Sequence, residues 1–168
     1  MGYVHDTQMS AFTTPAEMTA TVGTWAMAVA SHLWTLNKAA ADNTSVIKIP
    51  LKLPANAAAL KGAYLKSVDI WWDCGTAANE AVSAEIYKAS LPANGGALAT
   101  AAVTFSYDSG RDSAAERLTL ASHKMTLTIS TPFWVDEDNE AYVELTIDAA
   151  AASVNKLQGA RANYTLRL

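Results

Sequence analysis

Ala141-Tyr142-Val143-Glu144-Leu145-Thr146-Ile147 decides the fold class. Successive side chains of an extended chain point to opposite faces. Ala141, Val143, Leu145 and Ile147 therefore fall on one side, and Tyr142, Glu144 and Thr146 on the other. That alternation suits a strand with one dry and one wet face. A helix would need its apolar positions three or four apart.

The same habit runs outward in both directions. Upstream, Ile47, Ile49, Leu51 and Leu53 alternate with Lys48, Pro50 and Lys52. Pro50 cannot donate a ladder hydrogen bond, so an edge strand or a bulge is expected there. Lys66, Val68, Ile70 and Trp72 oppose Ser67, Asp69 and Trp71, and Val82, Ala84 and Ile86 oppose Ser83, Glu85 and Tyr87. Val103, Phe105 and Tyr107 alternate with Thr104 and Ser106, and Met125, Leu127 and Ile129 with Lys124, Thr126 and Thr128. Phe133 and Val135 mark a short strand between Pro132 and the acidic run Asp136-Glu137-Asp138-Asn139. Downstream, Ala160, Ala162, Tyr164, Leu166 and Leu168 oppose Arg161, Asn163, Thr165 and Arg167. Turns are expected at Pro54-Ala55-Asn56, at Pro92-Ala93-Asn94-Gly95-Gly96 and at Asp108-Ser109-Gly110.

About eight strands with regular turn signals predict an all-β protein, an antiparallel β-sandwich of jelly-roll-like topology. A parallel α/β sheet would show continuous apolar runs instead. The first 45 residues read differently. Thr14-Pro15-Ala16-Glu17 matches a helix start, but the threonines and Gly23 that follow weaken a long helix. Residues 1–20 are expected as an extended N-terminal arm, 24–38 as one or two strands, and 21–168 as a single sandwich domain. A short helix fits within the first segment.

Composition narrows the function. A chain of 168 residues suits one domain, long enough to bury a core without staples. Cys74 is the only cysteine, which excludes a disulfide scaffold and a Cys-rich zinc module. A net charge of −4 and a pI near 5.3 argue against nucleic acid as the main partner. The longest bulky-apolar run, Trp25 to Ala30, is far short of the roughly 20 residues that cross a bilayer, so no membrane partner is expected. The first residues show no basic region followed by an apolar stretch, so no secretory signal is expected. Charged residues make up only 17% of the chain, against roughly 25% in an ordinary soluble domain. So sparsely charged a surface is expected to be covered by something.

Candidate chemistry is thin. Asp108-Ser109-Gly110 resembles the Asp-Thr/Ser-Gly loop of aspartic proteases, in which two carboxylates share a proton. Only one copy is present and Arg111 follows it, so a turn with Asp bonding its own backbone and Gly in the left-handed region is the preferred reading. Asp136, Asp138 and Glu140 offer alternate carboxylates for Ca²⁺, but Ala141 stands where a calcium loop needs glycine, and a solvated hairpin tip is preferred. His5, His32 and His123 lack metal-ligand spacing. Cys74 is expected to pack as a small apolar residue. The chain is read as a non-enzyme with no cofactor.

The aromatics say more. Trp71 and Trp72 are adjacent in a strand, so one enters the core and the other faces outward; Phe133-Trp134 repeats the arrangement. Outward rings suit a subunit interface or a sugar-stacking platform, and a sugar site would set Asp, Asn and Arg beside the ring. Asp69, Asp73 and Asn79 supply such a cluster only loosely. The low surface charge favours the interface, with Trp25, Trp34, Trp71, Trp134, Phe12 and Met9 as its candidate residues.

Pro50-Leu51-Lys52-Leu53-Pro54, Lys61-Gly62-Ala63-Tyr64-Leu65-Lys66-Ser67, Ala84-Glu85-Ile86-Tyr87-Lys88, Ala115-Glu116-Arg117-Leu118, His123-Lys124-Met125-Thr126-Leu127 and Gly159 to Leu168 carry a resemblance. Over roughly residues 25–168 the chain is similar to uncharacterised β-rich proteins of environmental and bacteriophage-like sequences. That resemblance implies a virion location and a structural role, such as a capsid decoration (cement) protein or a minor head or tail component. The expected partners are then further copies of the chain, for instance in a trimer, and a larger capsid or tail protein. The rival expectation is a β-sandwich module that binds carbohydrate or a host surface.

Overall fold

The structure is a computed structural model that describes residues 6–30, 33–54, 62–92 and 94–167. His5, His32, Ala55, Asn56, Ala93 and Leu168, which carry parts of the readings above, lie outside the described residues.

Two antiparallel sheets form a sandwich. The larger runs β3 (Trp25–Ala30), β4 (Leu33–Lys38), β12 (Val154–Arg167), β6 (Ala63–Gly75), β10 (Ala121–Val135) and β9 (Phe105–Tyr107). A seventh strand, β1 (Asp6–Thr13), lies against β12. The smaller sheet runs β2 (Thr19–Val22), β5 (Asn43–Pro50), β11 (Asn139–Ala149), β7 (Asn79–Ser90) and β8 (Ala99–Val103). Strands β4-β12-β6-β10 thus face β5-β11-β7-β8, which is the eight-stranded jelly roll of two interlocked Greek keys. From β4 to β12 the chain changes sheet at every connection except β7 to β8 and β9 to β10. Strands β1, β2, β3 and β9 are additions that widen the two sheets.

The alternation read from sequence decides what is inside. Ile47, Ile49, Val68, Ile70, Trp72, Ile86, Met125, Leu127, Val143, Leu145 and Ile147 form the core between the sheets. Burying so many large side chains is the main term that holds the sheets together, at about 1.5–3 kcal/mol for each. Trp72 is wholly buried, and the His123 ring stacks on it with centroids 4.6 Å apart. Cys74 is buried too, its thiol donating to the carbonyl of Ala77. Burial raises that thiol's pKa.

Several local expectations change. Pro50 does not mark an edge strand, because β2 covers β5 opposite residues 46–48 and stops short of the proline. Its carbonyl accepts from the Thr13 hydroxyl at 2.7 Å. Phe133 and Val135 are not a separate strand: β10 runs on to Val135, absorbing Pro132 in an irregularity between Thr128 and Phe133. Residues 6–13 of the expected arm are extended, and they pair with β12 from Ala160 to Arg167. The only helical turn of the described N-terminal segment is a 3-10 turn, Pro15–Glu17, closed by Glu17 accepting from the Thr14 amide and hydroxyl. A further short helix, α1 (Ala114–Leu118), is capped by Ser113 and Glu116. The reach of its Arg117 to the carbonyls of Val82, Arg111 and Asp112 pins the loop to the sandwich.

Candidate functional site

The outer face of the larger sheet is where unlike side chains converge. Strand β6 sends Ser67, Asp69, Trp71 and Asp73 outward, since Val68, Ile70, Trp72 and Cys74 fill the inward positions. Register then chooses their neighbours. On one side Lys124 of β10 lies opposite Trp71, and Thr126 opposite Asp69. On the other, Arg161 of β12 lies opposite Asp69, and Asn163 opposite Ser67.

Asp69 is the hub. Its carboxylate is almost fully buried. Oδ1 accepts from Thr126 Oγ1 at 2.7 Å and meets Lys124 Nζ at 3.2 Å. Oδ2 accepts from Arg161 Nε at 3.1 Å, Arg161 Nη2 at 2.7 Å and Asn163 Nδ2 at 3.2 Å. Burial by itself would raise the carboxyl pKa, but the hydrogen bonds from Thr126, Arg161, Asn163 and Lys124 outweigh it and hold the group below its ordinary value. The ion is fixed, and it fixes the side chains around it.

Beside this hub stands Trp71, partly exposed. The Arg161 guanidinium carbon is 5.2 Å from its ring centroid and Lys124 Nζ 5.8 Å, both within cation–π range. Phe12 of β1 tilts against Trp71 at 6.1 Å. Phe12 can lie there because β12 carries Gly159 beneath it: a β-carbon at that glycine would overlap the ring. Phe12 is nevertheless 49% exposed. Beyond it, where β1 gives way to the 3-10 turn, the surface opens into a cleft of about 420 Å³ walled by Phe12, Pro15, Leu33, Trp34 and Gln158. Trp34 is 55% exposed at its edge. At the other end of β1, Gln8, Met9, Lys66, Ser67 and Asn163 line a second cleft of about 270 Å³. The first cleft meets the hub through Phe12, which packs on Trp71, and the second through Asn163, which donates to Asp69; clefts and hub together are the candidate groove of this face.

The candidate residues read from sequence divide accordingly. Trp71, Trp34, Phe12 and Met9 all border this groove. Trp134 sits on the same sheet, opposite Tyr64, and packs on that ring at 5.0 Å. Trp25 packs against the core with its indole nitrogen buried. Of the cluster sought beside the ring, Asp69 is there and Asp73 accepts from the Ser122 hydroxyl at 3.0 Å. Asn79 is elsewhere, buried in a reciprocal amide pair with Asn155 at 2.8 Å. Arg161 and Asn163 complete the cluster, and no local signal singles them out. Their alternation is visible in the sequence, but nothing near them says that β12 lies beside β6.

The other candidates have structural places. Asp108 opens a turn in which its carbonyl accepts from the Arg111 amide, and its carboxylate accepts from the Thr126 amide of β10. That carboxylate makes no hydrogen bond within its own loop among the described residues, and Gly110 is not among the glycines with positive φ. Asp136 closes its hairpin tip by accepting from the amides of Asp138 and Asn139. No group of three metal-ligating side chains occurs among the described residues. The outer face of the smaller sheet carries a stacked Tyr87–Tyr142 pair at 5.3 Å, with Lys48 over both rings and ion-paired to Glu144.

No family model and no curated protein matches this chain. Among solved structures it is similar to a carbohydrate-binding module in complex with beta-1,4-galactotriose, at 12% identity and a TM-score of 0.41, covering 90% of this chain and 87% of that one. It is also similar to a low-affinity xylan-binding module from Roseburia intestinalis, at 14% identity and a TM-score of 0.42, covering 93% and 96%. A family 29 carbohydrate-binding module from Piromyces equi follows at 10% identity and 0.41, covering 94% and 90%. The likeness is one of strand arrangement. The expected capsid-decoration role is corrected here: the structures just named are carbohydrate-binding modules, and a bacteriophage tailspike domain is also similar, at 6% identity and a TM-score of 0.38.

Proposed function

We propose that this chain is a glycan-binding β-sandwich module that holds a polysaccharide along the outer groove of its larger sheet, by adhesion without chemistry. The observation that carries this reading is the set of three rings, Trp71, Phe12 and Trp34, arranged along one sheet face beside Arg161, Asn163, Lys124 and Gln158. A sugar ring has an apolar C–H face and a rim of hydroxyls. The first suits an aromatic platform, the second a small number of fixed donors and acceptors. Asp69 contributes indirectly, by fixing Arg161 and Asn163 so that less order has to be imposed when a ligand arrives.

Affinity electrophoresis through gels containing plant and microbial polysaccharides tests the proposal. The protein is expected to be retarded in at least one gel. Trp71→Ala should weaken retention by about 1.5 kcal/mol, roughly tenfold, while the protein stays folded with its core intact and melts slightly lower for want of the contacts to Phe12, Arg161 and Lys124. Trp34→Ala should weaken it independently. Free migration in every gel, or equal retardation of both variants and the parent, would overturn the proposal.

A further inference from the structure

The two outer faces carry opposite charge. On the larger sheet, the outward positions of β6, β10 and β12 hold Lys66, Lys124, Lys156 and Arg161 against Asp69 and Asp73, among the described side chains. On the smaller sheet, the outward positions of β5, β7 and β11 hold Lys48 against Glu85, Glu140, Glu144 and Asp148. A chain with a net charge of −4 and 12 basic residues thus places four of them on the face that bears Trp71, where they outnumber the two acidic ones.

Those cations are not used up by the protein. Arg161 is bound to Asp69 through Nε and Nη2, and its Nη1 makes no hydrogen bond among the described residues. Lys124 meets one carboxylate oxygen with one of its three protons. Both side chains stay well exposed, at 41% and 47%, while the carboxylate they share is buried. The three ions together carry one net positive charge, and it is their cationic ends that face the solvent. Lys66 adds a third cation where the smaller cleft begins.

We infer that the ligand of this groove is an acidic polysaccharide whose sugars carry carboxylates, a uronate chain, with Arg161, Lys124 and Lys66 receiving successive carboxylates while Trp71 takes a sugar face. This rests on the glycan reading above and adds the ligand's charge. A carboxylate is the fitting anion because the planar guanidinium of Arg161 presents paired donors to planar oxygens.

Calorimetry of the whole protein with polygalacturonate, its fully methyl-esterified form and dextran sulfate tests it, each at about 0.05 and about 0.5 M NaCl. The acid form is expected to bind at least about tenfold tighter than the ester at low salt, and to lose most of that advantage at high salt, where screening shortens the reach of charge to a few ångströms. Lys124→Gln and Lys66→Gln should each cost about two- to fivefold, the worth of one exposed ion pair. Glu85→Gln alters the charge of the opposite face and should leave binding unaltered. Equal binding of acid and ester overturns the inference and leaves the glycan reading standing. Dextran sulfate binding as tightly as the uronate overturns the carboxylate assignment. Failure of all three, together with free migration in every neutral gel, removes both.

Discussion

Replacing Asp69 by Asn tests the hub on which the groove depends. The substitution keeps size and shape but removes the charge. One amide oxygen remains to accept from Thr126, while the second becomes an NH2 group facing Arg161 and Asn163. Hydrogen bonds to charged groups are worth about 1.5–3 kcal/mol each. Arg161 and Lys124 are each more than a third exposed, however, and recover water when released, so those values cannot simply be added. A net loss of about 2 kcal/mol follows, or a fall in Tm of roughly 4–8 °C for a chain of this length. The pH dependence separates this from a mere packing defect. The carboxyl pKa is lower folded than unfolded, so its contribution is complete above the unfolded value of about 3.9 and disappears as pH falls through the folded one. The parent should therefore lose stability below about pH 4 more steeply than Asp69→Asn, and the two melting temperatures should converge there. Thermal denaturation followed by circular dichroism from about pH 2.5 to about pH 7 reads both quantities. A variant melting within about a degree of the parent at neutral pH, with an identical acid limb, would refute the account of Asp69 as a net stabilising ion.

Two other substitutions probe neighbouring parts. Gly159→Ala places a methyl group where the Phe12 ring lies, at a residue with φ +148° that alanine adopts only under strain; about 1–3 kcal/mol should be lost, and amide exchange along residues 6–13 should quicken as β1 loosens. His123 is held by its Nε2 at the Thr119 carbonyl, with Nδ1 buried and unpartnered, and burial pushes its pKa down. Protonation therefore favours the unfolded chain, and stability should decline as pH falls below about 6.5. His123→Phe keeps the stack on Trp72 and should flatten that decline between about pH 7 and pH 5; an unchanged slope by urea titration would count against it.

The sandwich was legible because its core strands keep strict alternation: Ile47 and Ile49, Val68 to Trp72, and Val143 to Ile147 all keep their inward phase in the fold. Alternation gives each strand's two faces but not its neighbours. That is why Trp71 and Asp69 could be placed outward while Arg161 and Asn163, 92 and 94 residues from Asp69, could not be assigned beside them. Bulges hid more: the shift between Leu157 and Gly159 sets which β12 residues meet Trp71, and the irregularity after Thr128 carries β10 past a proline that looked like a boundary. The outward phase of β6, laid against every polar-faced strand in turn, was the signal available for the site. The 17% of charged residues says how many charges there are and not where they stand, so it held no sign of the difference between the two faces.

That separation of sign between the outward strand positions contributes an electric moment directed through the sandwich from one sheet to the other. A polyanion at a distance exerts a torque on such a body before any contact is made, turning the groove toward it and the carboxylate-rich side away. Encounters then begin in the productive orientation, so the arrangement should act first on the rate of capture and only afterwards on how long the captive is held.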